Sequence, residues 1–236
     1  LGYRGGVGAF VSGTAGYVFD LEKLAVVIHD TLPGAQRDQA YDFLDWCKSQ
    51  KRPRYGLTDK AFVTVDTLKR LWRNAHPGVT QLWADLQSAA ETTIRTRRVQ
   101  TVGMLEFDMR GAWLRIRLPS GRFLCYPHAK AGPEGLSYYG VDQYTRKWQE
   151  IRTYSGKLLE NICQSSARDV LYDAMPRAEG AGYEIVLHVH DELVAEVDEH
   201  GSLDHAGLSK ILSAGEPWTE GLPLAAAGHD SLRYCK

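Results

Sequence analysis

The chain has 236 residues, 44% apolar and 24% charged, with a formal net charge of −1; that length can bury a core in one large domain or two small ones. No apolar run approaches the roughly 18 residues needed to span a bilayer, and no secretory signal pattern opens the sequence. The four cysteines, Cys47, Cys125, Cys163 and Cys235, form no CxxC pair, which argues against zinc ribbons and disulfide frameworks and for reduced thiols in a cytoplasmic protein.

The charge is unevenly spread. From Arg95 to Arg168 thirteen Lys and Arg face six Asp and Glu, whereas from Asp169 to Lys236 four basic residues face thirteen acidic ones. A basic middle suits a polyanion, because cations that neutralise phosphates release counterions, and an acidic end suits a divalent metal.

The opening stretch, Leu1-Gly-Tyr-Arg-Gly-Gly-Val-Gly-Ala-Phe10, holds four glycines among its first eight residues. Such a turn permits positive φ and lets backbone approach a ligand closely. It is not a GxGxxG following a strand, so a dinucleotide site is not indicated. From Gly34 to Ser49, the spacing of Ala35, Ala40, Phe43, Leu44 and Cys47 predicts an amphipathic helix. The basic stretch from Lys48 to Gly56 reads as a solvated loop. Asp66 is a candidate N-cap for a helix carrying Leu68, Leu71 and Trp72, which His76-Pro77-Gly78 ends. A further helix is expected from Val79 to Arg98, burying Leu82, Trp83, Leu86, Ala89, Ala90 and Ile94.

Trp113 to Pro127 alternates in period two on both sides of Pro119-Ser120-Gly121, the pattern of a hairpin, with Arg115 and Arg117 on one face and Arg122 in the turn. An aromatic loop from Ser137 to Trp148 follows. A helix from Lys157 to Met175 should bury Leu159, Ile162, Cys163, Ala167, Val170, Leu171 and Ala174. Lys157, Asn161, Gln164 and Arg168 fall at i, i+4, i+7 and i+11, and so form the opposite ridge. Two amides between two cations suit a nucleic-acid backbone and minor-groove base edges; a solvated helix face has the same pattern.

In Tyr183 to Val197 two apolar runs surround His190-Asp191-Glu192, which predicts a second hairpin with an acidic tip. Adjacent carboxylates can hold Mg²⁺, a hard cation that keeps some of its waters, although acidic turns are also common without metal. A short helix from Leu203 to Ala214 and an extended tail with Trp218, Leu222 and Leu224 complete the chain.

Four stretches together resemble the family A DNA polymerases (the DNA polymerase I group), and most of all their phage-type branch: LGYRGGVGAF at 1–10, WLRIRLPSGRFLCYP at 113–127, TYSGKLLENICQSSARDVL at 153–171 and LHVHDELVAEV at 187–197. They stand in that family's order. The last is similar to its motif C and the first to the end of motif B, the fingers helix. The resemblance implies an α+β fold: a palm-type antiparallel sheet with packed helices over 103–236, and a mostly helical fingers portion over 1–102.

It also implies roles. Asp191 would be a palm carboxylate binding two Mg²⁺ ions, with Glu192 a secondary acid and His190 at the primer end. Tyr3 would stand beside the nascent base pair and contact the incoming deoxynucleoside triphosphate (dNTP). Gln164, Asn161, Lys157 and Arg168 would follow primer-template DNA, with Arg115 and Arg117 as further DNA contacts. One departure matters. The family's second aspartate, on motif A, and the motif B cations have no counterpart in these residues, since Asp66, Asp85 and Asp108 stand in other contexts. The expectation is therefore the C-terminal part of a polymerase, acting in a bacterial or phage-infected cell and inactive without its N-terminal portion. Two alternatives remain open: a non-catalytic nucleic-acid-binding module, and a metal-dependent nuclease using Asp191 and Glu192.

Overall fold

A computed structural model describes residues 1–17 and 19–234; Cys235 lies outside the described residues. Five helices come first: α1 (Val7–Ala15), α2 (Leu21–Ile28), α3 (Gly34–Ser49), α4 (Asp59–Ala75) and α5 (Pro77–Thr96). Strands then dominate, interrupted by the long α6 (Ser155–Gly180) and followed by α7 (His205–Ser213). The α+β expectation is met.

The strands fall into three antiparallel sheets. β1 (Gln100–Val102), β2 (Leu105–Arg110), β3 (Trp113–Arg117) and β4 (Phe123–Tyr126) form a four-stranded meander. β5 (Lys130–Gly132), β6 (Gly135–Val141) and β7 (Trp148–Thr153) form a second sheet. β8 (Glu184–Val189) and β9 (Glu192–Glu196) pair only with each other. The expected aromatic loop from Ser137 to Trp148 is thus mostly β6 and the turn into β7. Alternation there was masked because Tyr138 and Tyr139 are adjacent and both half-buried.

Two apolar cores form. One gathers Val7, Leu21, Ala40, Leu44, Cys47, Phe62, Val63 and Val65 from α1 to α4. The other joins Trp83, Leu86, Ala89 and Ala90 of α5 to Phe107, Leu114, Ile116 and Tyr126 of the meander and Leu158, Leu159 and Ile162 of α6. His76 separates α4 from α5, and Pro77 opens α5 where a missing N–H costs nothing.

Asp66 is not an N-cap. Thr58 caps α4, accepting from the Ala61 amide at 3.2 Å, and Asp66 lies mid-helix with no exposure. There its carboxylate accepts from Lys69 Nζ and, at 2.6 Å, from Arg70 Nε. The β-branched run Val63-Thr64-Val65 argues weakly against helix, yet α4 is buried over 61–67, so tertiary packing overrides propensity. The loop after α3 is less free than its composition suggests, because Lys48 and Arg54 both pair with Asp59 at 2.6 and 2.9 Å. Cys47 is buried, while Cys125 and Cys163 are exposed. Cys163 and Ala167 therefore stand outside the buried stripe of α6, which runs through Leu158, Leu159, Ile162, Asp169, Leu171, Ala174 and Ala178. No helix among the described residues is long and apolar enough to cross a membrane.

Candidate active site

The tip of the β8–β9 hairpin is a two-residue turn. Val189 pairs with Glu192, leaving His190 and Asp191 to reverse the chain. His190 takes φ +52°, a left-handed conformation that non-glycine residues rarely adopt. Both turn residues are exposed and Glu192 is half-buried at the start of β9. Among the described residues no group of three His, Cys, Asp or Glu is arranged to hold a metal ion. The donor set present, one exposed carboxylate with a second beside it, suits a cation that keeps waters and takes its remaining ligands from a substrate, but it does not close a site alone.

α6 presents the expected ridge only in part. Lys157, Gln164 and Arg168 are exposed. Asn161 turns inward instead, its Nδ2 donating to the Tyr126 hydroxyl at 3.0 Å, and burial pushes that phenol up to about 12. Lys157 pairs with Glu160 at 2.8 Å, which raises the ammonium above its ordinary value. Further along, the Arg168 guanidinium lies 4.6 Å from the Tyr172 ring centroid, and Tyr172 meets His188 of β8 edge-on at 5.3 Å. The ridge thus runs on to the acidic hairpin. Tyr172, at i+4 from Arg168, was legible by extending the ridge one more turn; its pairing with His188 was not.

The glycine-rich start lies against the other end of α6. A Cβ built on Gly156 would stand 2.2 Å from the Tyr3 carbonyl oxygen. Ser155 Oγ accepts from Arg4 Nη1 at 2.9 Å, and Trp83 Nε1 donates to the Gly2 carbonyl at 2.9 Å. Tyr3 is 39% exposed, and its hydroxyl is raised by burial and by the neighbouring Cys163 and Glu160. Two stretches some 150 residues apart in sequence therefore share one surface.

The arginines of β3 are engaged. Arg115 forms a bidentate pair with Asp108, directly across the ladder, its Nε at 2.7 Å, and stacks 4.4 Å from the Phe123 ring centroid. Arg117 is exposed opposite Glu106. Arg122 ties the β3–β4 turn to α6 through Asp169 at 2.7 Å, and Ser120 Oγ donates to the same carboxylate at 2.5 Å. The alternating acids of β2 were the signal for the first two; the partner of Arg122, on α6, had none.

No family model matches the sequence, and no solved structure matches the chain. A protein named DNA polymerase from Bacillus phage SP02 is 37% identical over 176 residues, covering 72% of this chain and 27% of that protein. The chain spans about a quarter of its relative's length. Over those 176 residues it is similar to a phage DNA polymerase.

Proposed function

We propose that this chain forms the palm and part of the fingers of a template-directed DNA polymerase of the family A type, transferring a nucleotide from dNTP to a primer 3′-hydroxyl. The observation that carries the reading is the 176-residue likeness to a protein named DNA polymerase. The geometry supports it by joining Tyr3, the Gln164–Arg168 ridge and strand β8 of the acidic hairpin along one helix.

In this reaction the 3′-hydroxyl oxygen attacks the α-phosphorus, a new P–O bond forms, and pyrophosphate departs. Asp191, with Glu192 beside it, would hold Mg²⁺, which supplies charge stabilisation for the attacking and leaving oxygens. The chain's own residues do the positioning. His190, fixed at the turn, stands at the primer end. Tyr3 offers its ring to the nascent pair. Gln164 reads the minor groove, and Arg168 and Lys157 face phosphates. A second carboxylate and the cations that grip the triphosphate come from the N-terminal polymerase portion, as part of one chain or as a separate one.

The test is primer extension with Mg²⁺ by the 236-residue chain, alone and together with an upstream polymerase portion. Expected is no extension alone, extension on reconstitution, and its loss with Asp191→Ala. Robust extension by the chain alone overturns the need for a partner carboxylate. Salt-dependent DNA binding that survives Asp191→Ala, with no extension under any condition, would instead make this a non-catalytic binding module. Cleavage of DNA without nucleotides would make it a nuclease.

A further inference from the structure

The hairpin of β6 and β7 loses its cover as it runs outward. At its base Leu136 is buried, and Tyr138 meets Tyr126 edge-on at 5.0 Å. Residues 137 to 140 are half-buried, and every residue from Gln143 to Glu150 is exposed. About 17 Å of strand lie between Trp148 and Thr153, where α6 is about to begin.

The tip is ordered and positively charged. Asp142 and Lys147 close a four-residue turn, the Asp142 amide donating to the Lys147 carbonyl at 2.9 Å. The Asp142 carboxylate is used within that turn, its Oδ1 accepting from the amides of Thr145 and Tyr144 at 2.7 and 3.1 Å. These bonds, that of the Thr145 amide foremost, hold the carboxyl below its ordinary range. Arg146 takes φ +57°, and its amide donates to the Asp142 carbonyl at 2.9 Å. The other charges of the sheet pair among themselves, Lys130 with Glu150 at 3.1 Å and Arg152 with Glu134 at 2.9 Å. Among the described residues no carboxylate comes within ion-pair distance of Arg146 or Lys147.

Two rings flank these cations. Tyr144 is 92% exposed and Trp148 60%. Trp148 stands across the ladder from Val141, which is exposed too. Rings so placed add little to folding, because apolar area stabilises only when it leaves water. A turn held by its own hydrogen bonds meets a ligand with little ordering entropy left to lose.

We propose that Tyr144, Arg146, Lys147 and Trp148 form an arm that holds single-stranded DNA, the rings stacking on bases and the cations facing phosphates. A sequence-tolerant strand site needs both parts. A duplex hides its base faces, and an acidic protein surface calls on the cations alone. The inference goes beyond nucleotide transfer and rests on the polymerase reading only for DNA as the strand.

Anisotropy of a labelled single-stranded oligodeoxynucleotide, followed with the full chain across salt concentration, tests the arm. Arg146→Gln with Lys147→Gln should reduce the slope of log K against log salt by about 1.4, or about 0.7 for each phosphate. Tyr144→Ala and Trp148→Ala should each weaken binding about tenfold with the slope unchanged. Duplex of the same length should be indifferent to the ring variants, and thermal unfolding of Tyr144→Ala should match the wild type. Unchanged affinity and slope in all these variants overturns the arm, as does equal loss on duplex and single strand. Loss of strand binding that tracks a lowered Tm overturns it too. Variants that keep the oligonucleotide bound but abolish association with an upstream polymerase portion also overturn it, and make the tip a protein contact. Strand binding that needs the arm, in a chain whose reconstituted form never extends a primer, keeps the arm and removes the polymerase reading. Extension that needs Asp191, with strand binding indifferent to the arm, does the reverse.

Discussion

Gly156 shows how one atom sets the distance between two distant parts of the chain. The Tyr3 backbone crosses α6 where a Cβ would stand 2.2 Å from a carbonyl oxygen, and backbone moves less readily than a side-chain tip. Gly156→Ala should therefore destabilise the protein by roughly 3 kcal/mol through overpacking, measured as a shift in urea midpoint. An unchanged midpoint would mean that Tyr3 lies elsewhere. Asp66 teaches the opposite lesson. An acid ahead of a leucine run reads as a cap, but here it neutralises two cations inside a buried helix. Sequence spacing describes neighbours along one helix and says nothing of α1, α2 and α3 packed around it.

At the scale of elements, the β8–β9 hairpin is the least supported piece. A two-stranded hairpin is marginal by itself, and Val186 and Leu187 are 48% and 45% exposed although both are apolar. Amides of β8 and β9 should exchange with solvent faster than those of β2 and β3, which belong to a four-stranded sheet over a core; equal protection would contradict this. α7 is fastened to the tail, since Asp230 accepts from both the amide and the Nδ1 of His205, at 2.9 and 2.6 Å. The pair raises His205 above its ordinary 6.5 and lowers Asp230 below 3.8. A raised histidine stabilises fully below pH 6.5 and loses that contribution as pH rises through its folded value. A lowered aspartate stabilises fully above pH 3.8 and loses it as pH falls through its own. The Tm difference between wild type and Asp230→Asn should thus be greatest from pH 3.8 to 6.5 and shrink toward pH 9. A difference that grows with pH would refute the clamp.

Across the whole molecule, the first five residues tie the two cores together. Gly2 accepts from Trp83 on α5, Arg4 donates to Ser155 on α6, and Gly5 accepts from Arg73 on α4. Each such bond contributes about 1 kcal/mol net, so removing residues 1–5 should cost roughly 3 kcal/mol. The loss falls between the cores more than within either, and calorimetry should show a single transition broaden or split. A sharp transition at the original temperature would show that the direct packing of α4 on α5 suffices.

What sequence alone determined is whatever repeats locally. Helix periodicity located α3, α5 and the start of α6 within a few residues, alternation found the β3–β4 hairpin, two apolar runs around a polar break found the β8–β9 hairpin, and His76-Pro77-Gly78 marked the break between α4 and α5. Exposure of Lys157, Gln164 and Arg168 followed from 3.6-residue geometry, and a tight turn at His190 and Asp191 from the polar break between two apolar runs. The tertiary structure alone decided which partners these groups find: Asn161 is engaged by Tyr126, Arg115 by Asp108 and Arg122 by Asp169, while Arg73 reaches the Gly5 carbonyl. The reason is physical. Periodicity is written in the few residues of one turn or strand, whereas the charge balance of a site depends on side chains brought from far along the chain.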